Sequence, residues 1–221
     1  MSQLMRIPVV AAACVALAAF VQTPKPEPGF TSLFNGADFT GWKLANPASF
    51  SIQDGAIVAN GRAGHAFYDG PFRDHLFKDF ELRVDVMTKP GANGGIYVLT
   101  EFQERGFPAK GFEIQVNNSY QRDRVKSGSL YHVLDVLDTS PAKDDEWYTT
   151  AVIVQGQTIT VKIGDKETVK WTQPADWKGT MRPNGTPEFP ERRIGSPGTI
   201  ALQAHDPNST VHYRNIRIKP L

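Results

Sequence analysis

The sequence predicts an all-β fold, a sandwich or jelly roll of two antiparallel sheets. Short segments of alternating apolar and polar residues recur along the chain, and turn signals such as Asp54-Gly55 separate them. No segment carries a helical apolar stripe of ten or more residues. The 19 glycines and 16 prolines suit a turn-rich β protein and are dispersed along the sequence. With 221 residues, a single domain accounts for the chain.

The predicted strands follow one another between turns. A hairpin over 51–58 comes first, and the pair 147–154 and 158–163 forms a second hairpin around Gln155-Gly156. The further strands are predicted over 80–86, 94–99, 112–117, 129–133, 166–171, 199–205 and 211–218. Two long polar loops interrupt this order, 101–110 and 171–197. Loops of that length in a compact domain are often functional, so we expect both to wall a cleft.

The N-terminus predicts an export signal. Arg6 precedes an apolar run over 7–21 that is too short for a comfortable membrane span. We therefore assign 1–22 to a signal peptide, the Pro-rich 23–28 to a linker and 29–221 to the folded domain, in a periplasmic or extracellular protein. Cys14, the only cysteine, weakly resembles a lipoprotein processing site. The apolar run continues past Cys14, which favours a place inside the signal and leaves lipid anchoring as the alternative.

The charge balance excludes one class of partner. The chain has 24 Lys and Arg against 23 Asp and Glu, a formal net charge of +1. No basic block or basic stripe with aromatic residues is present, so nucleic acid is not an expected partner. Once the signal is removed, no integral membrane segment is expected either. The sequence does not predict the oligomeric state.

One predicted strand carries an unusual row of polar groups. Its apolar positions are every second residue from 112 to 116, the period of two that indicates a strand with one face in the core. The positions between them hold a carboxylate and two amides, Glu113, Gln115 and Asn117. These groups can bind or act on a polyhydroxylated ligand. The alternative is an ordinary solvated face, as on most antiparallel sheets.

Several motifs resemble a known family. They are the opening 30–36 with Asp38 and Gly41-Trp42, and the stretches 94–97, 100–103, 106–118, 128–131, 146–147, 202–207 and 213–217. In this order they resemble the 3-keto-disaccharide hydrolase domain, formerly a domain of unknown function. The resemblance implies a concanavalin A-like jelly roll, exported by bacteria, that acts on a saccharide such as a 3-keto-glycoside. His132 departs from the pattern, because the family more often has a small residue there.

The polar row does not suit ordinary retaining hydrolysis. That reaction needs two carboxyl groups about 5–5.5 Å apart, one as nucleophile and one as acid and base. Glu113 has only amides as neighbours on its face, and an amide can neither attack nor exchange a proton at neutral pH. Glu81 or Glu101 would have to complete the pair from another element.

Cleavage of a 3-keto sugar needs only one carboxylate. Its ketone acidifies the C2 hydrogen, so that one base and a group that stabilises the enolate allow the glycosidic oxygen on C1 to leave by elimination. We predict Glu113 as the base or as a metal ligand, and His205 as a second acid and base or ligand. Gln115 and Asn117 are predicted to bind hydroxyls. Histidine at a strand end is equally often structural, and the requirement for a divalent metal stays open.

Further side chains are candidates for substrate binding. Gln203 shares a face with His205, and Glu101 begins the first long loop. Tyr97 and Tyr131 can stack on a sugar ring, although buried tyrosines are commoner. The main rival function is a non-catalytic carbohydrate-binding module, because jelly rolls serve both purposes. A structural adhesive domain is a third hypothesis, and it would not need the polar row.

Overall fold

The computed structural model describes residues 27–182 and 184–221, and in them two antiparallel sheets pack face to face. The predicted signal peptide over 1–22 and most of the linker over 23–28 lie outside the described residues. Glu27, at the end of that linker, binds Arg83 and lies 3.0 Å from Arg217. The last linker residues are therefore held against the domain.

The larger sheet has eight strands. In spatial order they are β11 (Lys166–Thr172), β10 (Thr158–Ile163), β9 (Tyr148–Gln155), β6 (Phe80–Thr88), β15 (Val211–Pro220), β4 (Ala56–Ala59) and β3 (Phe50–Gln53), with β1 (Thr31–Ser32) also paired to β15. The smaller sheet has five, β2 (Trp42–Ala45), β5 (Gly64–Tyr68), β14 (Thr199–Ala204), β7 (Gly94–Thr100) and β8 (Phe112–Val116). Two strands form a separate hairpin, β12 (Thr180–Met181) and β13 (Pro187–Phe189), and two short 3-10 helices cover Pro47–Ser49 and Phe72–His75.

The core lies between the two sheets, as the alternating pattern predicts. Leu82, Val84 and Val86 of β6 point inward from the larger sheet and are fully buried. On β8, the apolar positions Phe112, Ile114 and Val116 meet them from the smaller sheet. The prediction of an all-β jelly roll is confirmed, because the inner faces of the two sheets join into one apolar layer, while the strands of the smaller sheet are buried on their outer face as well.

The outer face of the larger sheet carries a row of salt bridges. On β6 the residues that form it alternate with the core positions. Arg83 pairs with Glu81 at 2.6 Å, and Arg217 lies 3.4 Å from Asp85. Lys219 reaches Glu81 at 3.4 Å. Glu81 is thus on the sheet that does not carry Glu113 and cannot complete a carboxylate pair with it.

Some local predictions were wrong. The segment 129–133 is not a strand, since it forms only isolated bridges and turns at His132, whose φ is +58°. Its backbone instead bonds to β8, where the Tyr131 amide donates to the Glu113 carbonyl at 2.9 Å. The short strands β2 and β5, two of the five strands of the smaller sheet, were not predicted. In the described ranges no helix is long and apolar enough to cross a membrane.

The buried face of β6 gives a test of the packing. Replacing fully buried Leu82 with Ala leaves a cavity between the sheets, and we expect the free energy of unfolding to fall by about 2–5 kcal/mol. The matched control is Leu76→Ala at a side chain that is 50% exposed, where we expect a loss below about 0.5 kcal/mol. Urea unfolding of both variants measures the difference, and equal losses would contradict this core.

Candidate active site

The candidate site lies on the outer face of the smaller sheet. Strand register places Tyr97 of β7 beside Glu113 of β8, and Ala201 of β14 beside Tyr97. Gln203, two residues further along β14, points to the same face. Both long loops cover this face, so that its polar row is buried instead of solvated: Glu113 is 6% exposed and Gln115 is 2% exposed.

The Glu113 carboxylate is held by three side chains. The Tyr97 hydroxyl donates to Oε2 at 2.6 Å, and the Gln203 amide donates to Oε1 at 2.9 Å. Gln203 also donates to the Tyr97 hydroxyl at 3.1 Å. The Arg192 guanidinium lies 3.9 Å from Oε2. Donors on both oxygens fix the orientation of the carboxylate.

Burial sets the proton affinity of this carboxyl group. Removal from water raises the pKa of Glu113 above its ordinary value of 4.5. The charge of Arg192 and the hydrogen bonds from Tyr97 and Gln203 oppose that rise without cancelling it. Burial and the Glu113 charge raise the pKa of Tyr97 far above its ordinary value, so this hydroxyl stays a donor. Glu113 is thus a stronger base than an exposed glutamate, and it is held in place.

Arg192 reaches Glu113 from the second long loop. It is fully buried, and its guanidinium carbon lies 3.7 Å from the centroid of the Phe189 ring and 5.6 Å from that of Tyr97. Its Nη2 donates to the Pro108 carbonyl at 3.2 Å. Within the described residues, Nε and Nη1 have no hydrogen-bond partner. Arg192 therefore joins both loops to the floor of the site.

A cavity of about 150 Å³ opens beside Glu113. Its walls come from the three strands β8, β13 and β14, from both loops and from turns, which brings together residues far apart in sequence. They are Asn93, Phe107, Glu113, Gln115, Asp123, Tyr131, Glu188, Phe189, Gln203 and His205. The prediction that both long loops wall a cleft is confirmed, since Phe107 belongs to the first loop and Glu188 and Phe189 to the second.

His205 lies in this wall just past the end of β14. Its Nδ1 is 2.8 Å from Oδ2 of Asp206, and Asp206 also accepts from Ser209 at 2.9 Å. Burial works to raise the pKa of Asp206, but the hydrogen bonds from His205, Asn208 and Ser209 outweigh it and lower that pKa. An ionised Asp206 holds a proton on Nδ1 of His205, which leaves Nε2 for proton transfer.

The predicted binding residues divide into two groups. Gln115 and Tyr131 line the cavity, where the Gln115 amide donates to Asn93 at 3.2 Å and the Tyr131 hydroxyl donates to Asp123 at 3.3 Å. Gln203 lines it too, and its Oε1 has no partner within the described chain. A ligand hydroxyl would satisfy that acceptor.

Three of the predicted binding residues do not line this cavity: Asn117, Tyr97 and Glu101. Asn117 follows the last residue of β8, is fully buried, and donates to the Val125 carbonyl at 2.8 Å, so it holds a loop instead of facing the cavity. Tyr97 is fully buried beneath Arg192 and offers no ring face for stacking. Glu101 pairs with Lys110 at 2.8 Å and lines a different cavity, so it does not complete a pair with Glu113.

The sequence did not point to several residues of the site. Asn93, Asp123 and Glu188 line the cavity from turns and from the loop hairpin β12–β13, and Arg192 comes from the same long loop as Glu188. Only the length of that loop signalled a function. His132, the departure from the family pattern, contacts Glu188 at 2.6 Å and stacks on Tyr131 with ring centroids 3.9 Å apart.

The donor set does not fit a metal ion. Across residues 27–182 and 184–221, no three His, Cys, Asp or Glu side chains come together in a way that would hold one. His65, another buried histidine of this face, packs edge-on against Tyr97 with centroids 5.1 Å apart. Burial first, then the Arg192 and His205 charges, lower the pKa of His65 to about 3, so it is neutral and serves packing.

A substitution at Gly95 tests the placement of Glu113. A Cβ there would lie 2.6 Å from Oε1 of Glu113, so Gly95→Ala must displace the carboxylate and cost about 1–3 kcal/mol of unfolding free energy. Gly195→Ala is the control, because its Cβ would meet only Arg193 Cγ at 3.9 Å. Thermal and urea unfolding compare the two, and a neutral Gly95→Ala would contradict this geometry.

Comparison with known proteins places the chain in a family. The family model described as the 3-keto-alpha-glucoside-1,2-lyase-like domain matches residues 29–219. A protein of Bacteroides thetaiotaomicron named 3-keto-disaccharide hydrolase is 24% identical over 243 residues, which cover 91% of this chain and 81% of that protein.

Solved structures agree with the fold. A candidate glycosyl hydrolase from Parabacteroides distasonis is 25% identical, with a TM-score of 0.71 over 87% of this chain and 94% of that one. A carbohydrate-binding module of family 66 from Bacillus subtilis is 11% identical, with a TM-score of 0.51 over 81% of this chain and 95% of that one, and shows the fold alone. The match over residues 29–219 confirms the resemblance of the sequence motifs, and the chain belongs to the family of 3-keto-alpha-glucoside-1,2-lyase-like domains.

Proposed function

We propose that this protein cleaves 3-keto-glycosides, with Glu113 as the base that removes the C2 proton. The observation that carries the proposal is a single buried carboxylate, with a raised pKa, that faces a small cavity next to the His205–Asp206 pair. Strongly perturbed groups in a cleft are typical of catalytic sites. Family membership and the name of the Bacteroides relative support the same substrate class.

The size and form of the cavity suit one sugar ring. Its volume of about 150 Å³ is smaller than the 300–1,000 Å³ of common ligand pockets. Amide groups of Asn93, Gln115 and Gln203 face it and can bind hydroxyls and the ketone oxygen. A binding module would favour an open aromatic platform, whereas here the polar groups surround a buried acid.

The reaction proceeds in two halves. Glu113 takes the C2 proton, and the electron pair of the C2–H bond forms an enolate with the C3 ketone, which amide donors stabilise. The enolate then restores the ketone, C1 and C2 become doubly bonded, and the glycosidic oxygen leaves with its electron pair. Protonated His205 gives that oxygen a proton. Water then adds its hydroxyl to C1, while Glu113 returns the proton to C2 and His205 takes one from water.

Ordinary hydrolysis is the second candidate because two more carboxylates line the cavity. Asp123 accepts from Tyr131, and Glu188 is bound to His132, so both already have partners. Neither stands next to Glu113 on its strand. The elimination route needs only one base, Glu113, and no second carboxylate beside it on β8.

The substrate experiment compares a 3-keto-glucoside with its unoxidised parent, with and without divalent metal. We expect aglycone release from the ketone only, because the parent lacks the acidic C2 hydrogen. Release from both would indicate hydrolysis with Asp123 or Glu188 as the second carboxylate. Binding without release from either would make the protein a carbohydrate-binding module.

Glu113→Gln tests the base. The amide keeps the shape of the side chain but cannot take a proton, so we expect kcat/KM for the ketone to fall by about 10²–10⁴-fold. Glu167→Gln, at an exposed position of β11, is the matched control and should keep the activity. Circular dichroism checks the fold of both, and a folded Glu113→Gln variant with full activity would overturn the assignment.

The pH profile tests the environment of Glu113. A base works only when deprotonated, so kcat/KM should fall with decreasing pH through a pKa above the ordinary 4.5. Tyr97→Phe removes a hydrogen bond that lowers this pKa. We therefore expect the acid limb to move to higher pH in the variant, while a limb that stays in place or moves down would contradict the geometry.

We also propose that the protein is exported. The apolar run over 7–21 after Arg6, inside the predicted signal 1–22, supports this proposal. Mass spectrometry of the periplasmic and extracellular fractions should find a chain that lacks these residues. A full-length chain confined to the cytoplasm would contradict export, and a lipid on Cys14 would establish the anchoring alternative.

A further inference from the structure

A second and larger cavity lies on the same face of the smaller sheet, away from Glu113. Its volume is about 550 Å³, well inside the range of ligand-binding pockets. Along β14, Thr199 lines this cavity and Gln203 lines the smaller one, four residues and about 14 Å apart. Tyr97 and Arg192 lie beside Glu113, are fully buried, and do not line the larger cavity.

Aromatic and aliphatic side chains form part of the lining of this larger cavity, alongside charged groups. Phe67 lies in its floor, and the Phe102 ring packs against it edge-on with centroids 5.2 Å apart. Phe102 is still 39% exposed, and Leu76, which also lines the cavity, is 50% exposed. Apolar surface left open inside a concave site indicates a ligand that would cover it.

Several polar groups of the cavity already have partners, while Asp69, Glu191 and Arg193 add further charge to its lining. Thr199 donates to the Tyr68 carbonyl at 2.6 Å, and Lys110 is paired with Glu101 at 2.8 Å. These groups are not free for the many hydroxyls of a second sugar. Lys43 differs, because its ammonium lies 3.8 Å from the centroid of the Phe102 ring and has no carboxylate partner in the described part of the chain. An electronegative substituent on an aromatic ring would meet this cation.

The segment 190–193 connects the two cavities. Pro190, Glu191 and Arg193 line the larger cavity. Arg192, between them in sequence, points the other way and lies 3.9 Å from the Glu113 carboxylate. A ligand that presses on this segment therefore acts on a residue that sets the charge environment of Glu113.

We propose that the larger cavity is a second ligand site that takes a planar aromatic molecule with a hydroxyl group, a phenol, and that the segment 190–193 couples its occupancy to Glu113. The ring packs between Phe102, Phe67 and Leu76, and the hydroxyl or phenolate oxygen faces Lys43. The coupling rests on the proposed function, whereas phenol binding does not. A phenol is also the group that an aryl glycoside releases on cleavage, so this second site would bind a product of the reaction.

Calorimetric titration with 4-nitrophenol tests the binding site on the full chain. Phe102→Ala should weaken binding about tenfold or more, because it removes the ring on which the ligand packs. Phe107→Ala is the matched control, since it lies on the same loop and is 41% exposed but lines the smaller cavity. We expect its affinity for the phenol to stay within about threefold of the wild type. Thermal unfolding confirms that both variants are folded.

Two binding results would overturn the site. Absence of binding by the wild type at millimolar 4-nitrophenol excludes a phenol site. A loss with Phe107→Ala as large as that with Phe102→Ala would place the phenol in the Glu113 cavity. Glu113→Gln should still bind 4-nitrophenol, because Glu113 does not line the larger cavity, and any change in affinity should pass through the segment 190–193.

The coupling is tested with a 3-keto-glucoside whose aglycone is methanol, so that the product cannot occupy the aromatic site. Added 4-nitrophenol should change kcat in the wild type and have no effect on kcat in Phe102→Ala. An unchanged kcat in both, or competitive inhibition that persists in Phe102→Ala, overturns the coupling. If no ketone is turned over at all, the proposed function fails and the titration still decides the phenol site.

Discussion

The burial of the Glu113 carboxylate is the constraint on which the rest of this site depends. A charged group on a sheet face normally points to water, but here two long loops cover it, and the cost of desolvation is met by donors on both oxygens. Arg192 supplies a nearby positive charge. The result is a carboxylate that is fixed in orientation and more basic than an exposed one. Those are the two properties that a general base needs.

The same constraint explains why the loops are ordered. Arg192 is fully buried, stacks on Phe189 and donates to the Pro108 carbonyl, so one side chain ties the second loop to the first and both to the sheet. Buried guanidinium groups are costly unless they are paired, and its partner is the carboxylate itself. The Glu113 carboxylate and the loops that cover it therefore stabilise one another.

The division of the outer face into two cavities follows from this arrangement. The guanidinium of Arg192 lies over the Tyr97 ring and beside Glu113, whose cavity carries polar groups, and the larger cavity holds Phe67 and Phe102. A jelly roll with an unobstructed face can hold an extended saccharide. In this chain the face carries a small cavity around Glu113 and a larger one with a different set of side chains.

The sequence by itself determined the fold class, most of the strands, and the place of Glu113 opposite the core side of β8, because period-two alternation is a local property of the chain. It also gave the family, through motifs in a fixed order. It could not show that 129–133 turns back on β8, or that Asn117 holds a loop instead of the ligand. Only the tertiary structure decided three features of the site. They are the pairing of Glu113 with Tyr97 and Gln203, the position of Arg192 beside Glu113, and the cavity wall formed by Asp123 and Glu188. Those contacts join residues up to about ninety positions apart, and their geometry depends on strand order and loop path, which local patterns do not encode.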